Sequence, residues 1–315
     1  MNKFIDVIVI ETGFWFGNSR PDKFRFFSCL RPALSRSVRK PVLIMKYLRV
    51  ISPQTKPSGQ FGVIQKNNIH LIEISPLYGP IKKTGVVFTL DEVIEFLPPV
   101  VPPNIIGIAL NYYDSLKKGG IEPPPEPVVF LKATTSTVGH LRPVVLPVEA
   151  PDMIDYEAEL AVVIGKKCRH VSEQEASSYI MGYTCVNDLG AQDCLQKRDK
   201  QWARGKSFDT FTPVGPVIET DLDAADLQVQ FRLNGATMQN GNTRDMVFSI
   251  TYLVSYLSRQ MTLLPGTLIL TGTPAGTGSQ STPPVFLKPN DRMEVEIEGI
   301  GVLANPVIPE TSRTK

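Results

Sequence analysis

The run IDYEAELAVVIG, Ile154 to Gly165, limits the fold more than any other stretch of the chain. Its aliphatic and β-branched residues, in a run of strand length, belong in a sheet that packs on a core. Residues two apart on a strand share a face, so Glu157 and Glu159 point one way while Ala158, Leu160 and Val162 point the other. Two like charges side by side need a counterion or water. An isolated E-x-E of this kind ordinarily faces water, and it is the surrounding sequence that argues otherwise here.

A third carboxylate, Asp188 in GYTCVNDLG, follows a helical segment and a short apolar run, which places it at a strand end. Three hard oxygen donors with room for water suit Mg²⁺, Ca²⁺ or Mn²⁺, whereas Zn²⁺ usually recruits His or Cys. His70, His140 and His170 have no ligand spacing.

The other segments predict a mixed α and β chain with a large, mainly antiparallel sheet system. KYLRVIS and FGVIQKNNIHLIEI read as β-rich runs with a hairpin at Lys66-Asn67-Asn68, and LDEVIEFL, Leu90 to Leu97, as a short helix. PPVVPP, Pro98 to Pro103, marks a boundary, since proline neither continues a helix nor donates to a sheet. Beyond it come NIIGIALNYYDSLKKGG, a strand running into a loop or helix, the stiff spacer EPPPEP and the strand VVFLK. Two helices are expected: SEQEASSYIMGY, opened by a Ser172/Glu175 capping box, and DMVFSITYLVSYLSRQM, with Met246, Ile250, Leu253, Val254 and Leu257 on one stripe. The C-terminal third is strand-rich and no internal repeat is present. These signals divide the chain into an extension (1–45), a small β-rich N-terminal part (46–100) and a larger mixed part (101–310), in line with the length of 315 residues.

Charge and cysteine content exclude several function classes. A net charge of +2, with no basic stripe carrying interleaved aromatics, argues against nucleic acid. Residues 1–45 hold eight Lys/Arg against three acids, and RFFSCLRPALSRSVRK is similar in composition to an organellar transit segment, although Asp6 and Glu11 oppose that reading. No apolar run approaches the roughly 20 residues of a membrane helix. Cys29, Cys168, Cys185 and Cys194 show neither a CxxC pair nor a small-scaffold spacing, which predicts reduced thiols. The expected setting is cytoplasmic, with a mitochondrial one as the alternative.

Five blocks in register, DYEAELAVVIG, GYTCVNDLGAQD, RGKSFDTFTPVGP, LILTGTPAGTG and PPVFLKPNDRMEVEIEGIG, resemble the fumarylacetoacetate hydrolase family from about Met45 to Ile308. The resemblance implies an α+β fold with a mixed β-roll catalytic domain, a small N-terminal domain and usually a homodimer. It assigns a divalent cation, Mg²⁺ first with Ca²⁺ or Mn²⁺ as alternatives, to Glu157, Glu159 and Asp188. It also places Lys206 and Thr273 in the pocket as catalytic residues, against a keto acid or β-dicarbonyl substrate. TGTPAGTG lacks the Gly-Lys-Ser/Thr ending of a phosphate loop.

The chain departs from that pattern where hydrolytic members carry a His and, three residues on, a Glu that together activate water. The matching run is NYYDSLKK, with Ser115 and Lys118 at those positions, and a serine without an adjacent base is a poor general base. His140 and Asp114 are candidate replacements. Gln192 stands for an arginine and Leu195 for a glutamine, which predicts a pocket for a less anionic, more apolar substrate. The leading expectation is C–C bond cleavage, by hydrolysis or decarboxylation, through a metal-stabilised enolate. Tautomerisation of an oxaloacetate-type keto acid and a non-catalytic metal-stabilised scaffold are the alternatives.

Overall fold

The computed structural model describes residues 45–311; the N-terminal extension, its transit-like segment and Cys29 lie outside them. The first strands are β1 (Lys46–Ile51), β2 (Gln60–Gln65), β3 (Asn68–Ile72), β4 (Lys83–Thr89) and β5 (Glu95–Leu97). After the proline boundary come β6 (Ile105–Ala109), α1 (Tyr113–Gly119), β7 (Val128–Lys132), β8 (Thr137–Val138), β9 (Val144–Leu146), β10 (Ile154–Asp155) and β11 (Ala158–Ile164). The chain continues through α2 (Glu173–Ala176), β12 (Ile180–Asn187), β13 (Gly190–Ala191), α3 (Ala203–Lys206), β14 (Thr212–Glu219), β15 (Gln228–Leu233) and β16 (Ala236–Asn242). It closes with α4 (Ile250–Gln260), β17 (Leu268–Leu270), β18 (Arg292–Ile297) and β19 (Gly301–Pro309).

The large sheet runs β4-β3-β2-β1-β14-β12-β11-β17-β6-β7, with β5 also on β1 and β8 on β14; a second sheet runs β16-β15-β18-β19-β9. Pairing is antiparallel except for β6 with β17, β8 with β14 and β9 with β19, so the α+β, mixed-sheet architecture is the one the sequence implies. β1 joins β14 directly, Lys46 opposite Glu219, which makes the N-terminal strands part of the large sheet. The hairpin at residues 66–67 forms, with Lys66 at φ 56° and Gln65 opposite Asn68.

β11 is buried along its whole length. Leu160 packs with Tyr156, Phe231 and Val295 in the core between the two sheets, while Val162 and Ile164 pack against Leu253, Val254 and Leu257 of α4. Tyr156 stacks on Phe231 with ring centroids 4.2 Å apart. These contacts fix the strand from which the two glutamates project. Cys168, Cys185 and Cys194 are buried free thiols. Among the described residues no helix is long and apolar enough to cross a membrane.

Three helix expectations need correction. LDEVIEFL makes only a 3-10 turn at Leu90–Glu92, because Thr89 and Glu92 close a one-turn capping box and the chain then leaves as β5 to pair with β1. The Ser172/Glu175 box is present, but α2 lasts one turn before a 3-10 turn, and Ile180 starts β12. There the pull of sheet pairing on a β-branched, aromatic run outweighs the helical signal. α4 starts at Ile250 rather than near Asp245, since the Ser249 hydroxyl caps it by accepting from the Tyr252 amide.

Candidate metal centre and pocket

Register brings the three acids together. Ala158 pairs with Asn187 at the mouth of β11 and β12, so the residue before one strand meets the residue after the other. The Asp188 amide donates to the Glu157 carbonyl at 2.8 Å, and the Glu157 amide donates to Asn187 Oδ1 at 3.0 Å. Glu157, Glu159 and Asp188 each offer an oxygen within 4.8 Å of the others. Glu159 is further held by the Gly272 amide, which donates to Oε2 at 2.7 Å. Gly272 sits at φ 95°, a conformation open to glycine, where an added Cβ would stand 2.8 Å from that of Asn111.

Two ammonium groups face the acids. Lys206, at the end of α3, donates to Glu157 Oε2 and to Asp188 Oδ2, both at 2.8 Å, and its Nζ lies 5.5 Å from the Phe130 ring centroid. Lys132, at the end of β7, is wholly buried and donates to Asp188 Oδ1 and to the Phe211 carbonyl, the latter at 2.9 Å. Sequence reasoning missed Lys132. The one available signal was a lone charge closing the apolar run VVFLK.

Three carboxylates against two ammoniums leave one negative charge in excess, and burial and neighbouring charges decide where it falls. Burial, with Asp188 adding to it, pushes Glu157 up to about 7 in spite of Lys206. Burial and its two acidic neighbours raise Glu159 well above the carboxylate range. Burial works against ionised Asp188 too, but Lys132 and Lys206 outweigh it and hold Asp188 low. Burial opposes the charge on Lys206, yet Asp188 and Glu157 overcome it and raise its pKa. A cluster of hard oxygen donors that is short of positive charge fits a dication.

The cluster opens into a cavity of about 280 Å³ lined by Glu157, Glu159, Lys206, Thr273, Ser115 and Gln280, together with Gln192, Leu195, Gln196 and Trp202. Thr273 reaches the pocket, but its hydroxyl already donates to the Ala158 carbonyl and accepts from Gln239 Nε2, each at 2.8 Å. Ser115 Oγ accepts from Gln280 Nε2 at 3.0 Å, and Lys118 is exposed on α1. Neither candidate replacement base reaches the cavity. His140 Nδ1 accepts from the Ala304 amide at 3.0 Å and packs on Phe96, and burial lowers its pKa to about 4. Asp114 accepts from the Ala275 amide at 3.0 Å, which ties α1 to the loop after β17.

The raised carboxyls give a testable pH dependence. The Glu157 pKa lies above its ordinary value of 4.5, so its contribution to the stability of the metal-free fold is full below that value and is lost as pH rises through about 7. A bound dication removes that loss because it favours the ionised form. The rise in Tm on adding Mg²⁺ is therefore expected to grow from pH 5 to pH 8 in differential scanning fluorimetry; a rise that shrinks over that range contradicts this electrostatic reading.

Comparison with known proteins agrees with the geometry. Residues 104–308 match the family model for the fumarylacetoacetate (FAA) hydrolase C-terminal domain, and residues 45–99 match the model described as Rv2993c-like, N-terminal. The chain is 42% identical over 220 residues, 68% of its length and 70% of the relative's, to human oxaloacetate tautomerase FAHD2A, mitochondrial. It superposes on 2-hydroxyhepta-2,4-diene-1,7-dioate isomerase from Mycobacterium marinum with a TM-score of 0.75 at 38% identity, over 85% of this chain and 100% of that one. Fumarylacetoacetate hydrolase from Exiguobacterium antarcticum gives a TM-score of 0.76 at 35% identity, over 84% and 100%. The chain belongs to the fumarylacetoacetate hydrolase family of metal-dependent enzymes.

Proposed function

We propose that the protein interconverts the keto and enol forms of a small 2-oxo acid or β-dicarbonyl compound, with Glu157, Glu159 and Asp188 as ligands of Mg²⁺, or of Mn²⁺ or Ca²⁺ in its place. The bound dication supplies Lewis-acid stabilisation of negative charge on a substrate oxygen. Lys206, kept protonated by Glu157 and Asp188, adds a fixed positive charge beside the place where that charge develops. Thr273 is a positioning residue in this reading, since its hydroxyl pins the loop after β17 to the strand that carries the glutamates. Ser115 accepts from Gln280 and so keeps its own hydrogen for a substrate oxygen.

The composition of the cavity wall carries the reading. Its titratable side chains are Glu157, Glu159 and Lys206, two of them assigned to the metal and the third held as a cation. C–C hydrolysis, one of the two cleavage routes expected from sequence, needs a base for water, and the serine and amide at that wall cannot take up a proton. Ketonisation of an enol needs an electron sink but no activated nucleophile: the hydroxyl proton leaves to solvent water and the carbon takes one from solvent water, while Lys206 faces the oxygen that carries the charge between the two transfers; relatives named tautomerase and isomerase support it. A scaffold needs no cavity beside its metal.

Product analysis tests the proposal. With Mg²⁺, the purified protein is expected to speed the decay of enol absorbance of phenylpyruvate, a 2-oxo acid with one carboxylate, or of oxaloacetate, without releasing CO₂ from oxaloacetate, and to liberate no pyruvate from an acylpyruvate. Pyruvate release at a comparable rate would establish hydrolysis instead, and CO₂ release would establish decarboxylation.

A further inference from the structure

The wall beside the acidic triad carries the neutral amides of Gln192 and Gln280, each with its oxygen and one N–H engaged internally. Gln192 is 8% exposed; its Nε2 donates to Asp155 Oδ2 at 3.1 Å and its Oε1 accepts from Gln196 Nε2 at 2.9 Å. Gln280 spends its Nε2 on Ser115 and its Oε1 on the Gly276 amide, each at 3.0 Å. Asp155 is 1% exposed and also accepts from the amides of Tyr156 at 2.9 Å, Gly278 at 2.6 Å and Ser279 at 3.1 Å. Gly278 is required for this approach, because a Cβ there would stand 2.8 Å from Asp155 Oδ1 and 1.9 Å from the Val285 carbonyl oxygen.

One Gln192 N–H and the backbone amides of Tyr156, Gly278 and Ser279 are therefore taken by the Asp155 carboxylate, so this stretch of wall already has an internal negative charge behind it. Lys206 is the one cation among the lining residues, and Glu157 and Asp188 share it. Leu195, Trp202 and Phe130 add apolar surface.

We infer that the pocket selects a 2-oxo acid with a single carboxylate and an uncharged remainder over a dicarboxylate, with Gln192, locked by Asp155, as the specificity-determining residue. The inference rests on the proposed function in seating the 2-oxo carboxylate at the triad. A second carboxylate would then lie against neutral amides backed by Asp155, with Lys206 already shared by Glu157 and Asp188, which is the repulsive element that specificity requires.

A matched pair tests this: 2-oxoglutarate, with two carboxylates, and its 5-methyl ester, with one. Isothermal titration of the Mg²⁺-loaded protein is expected to show the ester binding about tenfold tighter or more. Equal affinity, tighter binding of the diacid, or binding of neither overturns the inference. Gln192→Arg is expected to move the affinity ratio about tenfold toward the diacid; an unchanged ratio in a folded variant overturns the role of Gln192. Should that variant fail to fold, the wild-type pair still decides. Ester preference with no tautomerisation of any 2-oxo acid would remove the proposed function and leave the selectivity standing, whereas tautomerisation with the diacid preferred would do the reverse.

Discussion

Glu159→Gln is expected to abolish divalent-cation binding and to cost about 4 kcal/mol of transition-state stabilisation, on the order of a thousandfold in kcat/KM. The amide keeps an oxygen for the Gly272 N–H, so the loop after β17 stays anchored. Because burial already disfavours the charge of Glu159, the metal-free variant should be no less stable than the metal-free wild type. That combination, lost chemistry on an unharmed fold, separates a ligand from a structural acid. Calorimetric metal titration and thermal unfolding of both proteins check it. A variant that binds Mg²⁺ like the wild type would remove Glu159 from the ligand set.

Lys132→Met carries the largest expected effect on stability. The methionine fills the volume but leaves Asp188, whose side chain is wholly buried, with Lys206 as its remaining cationic partner, and it deprives the carbonyls of Leu189 and Phe211 of a donor. Breaking a buried pair from one side costs about 3–5 kcal/mol, to be read from denaturant unfolding at neutral pH. The double variant with Asp188→Asn should recover part of that loss, since no buried charge is then left unpaired. A single-variant cost of less than about 1 kcal/mol would show that Lys132 does not neutralise Asp188.

The site could be read from sequence to the extent that it depends on period and register. The spacing of Glu157 and Glu159 put them on one face of a strand and the apolar run before Asp188 put it at a strand end, while the resemblance to a family made the three of them a ligand set. Lys206 and Thr273 came from resemblance to a family, and the hydrogen bonds of the Thr273 hydroxyl to Ala158 and Gln239 are what favour a positioning role for it. Lys132 stayed hidden because its partner lies 56 residues away and only the closed sheet brings them together. Asp155 stayed hidden for a similar reason, since the loop at Gly278 that it clamps lies 123 residues downstream. The same non-local pairing turned the expected helix at 90–97 into a turn and an edge strand. Local pattern reports propensity, whereas a sheet of this connectivity is decided by which strand is available alongside.

The proposed chemistry requires that the triad hold a dication. Titration of the metal-free wild type with Mn²⁺, followed by electron paramagnetic resonance, tests this directly. One Mn²⁺ bound per chain, with the site lost in Glu159→Gln, is the predicted result; a wild-type protein that leaves all of the Mn²⁺ free in solution at neutral pH would contradict it.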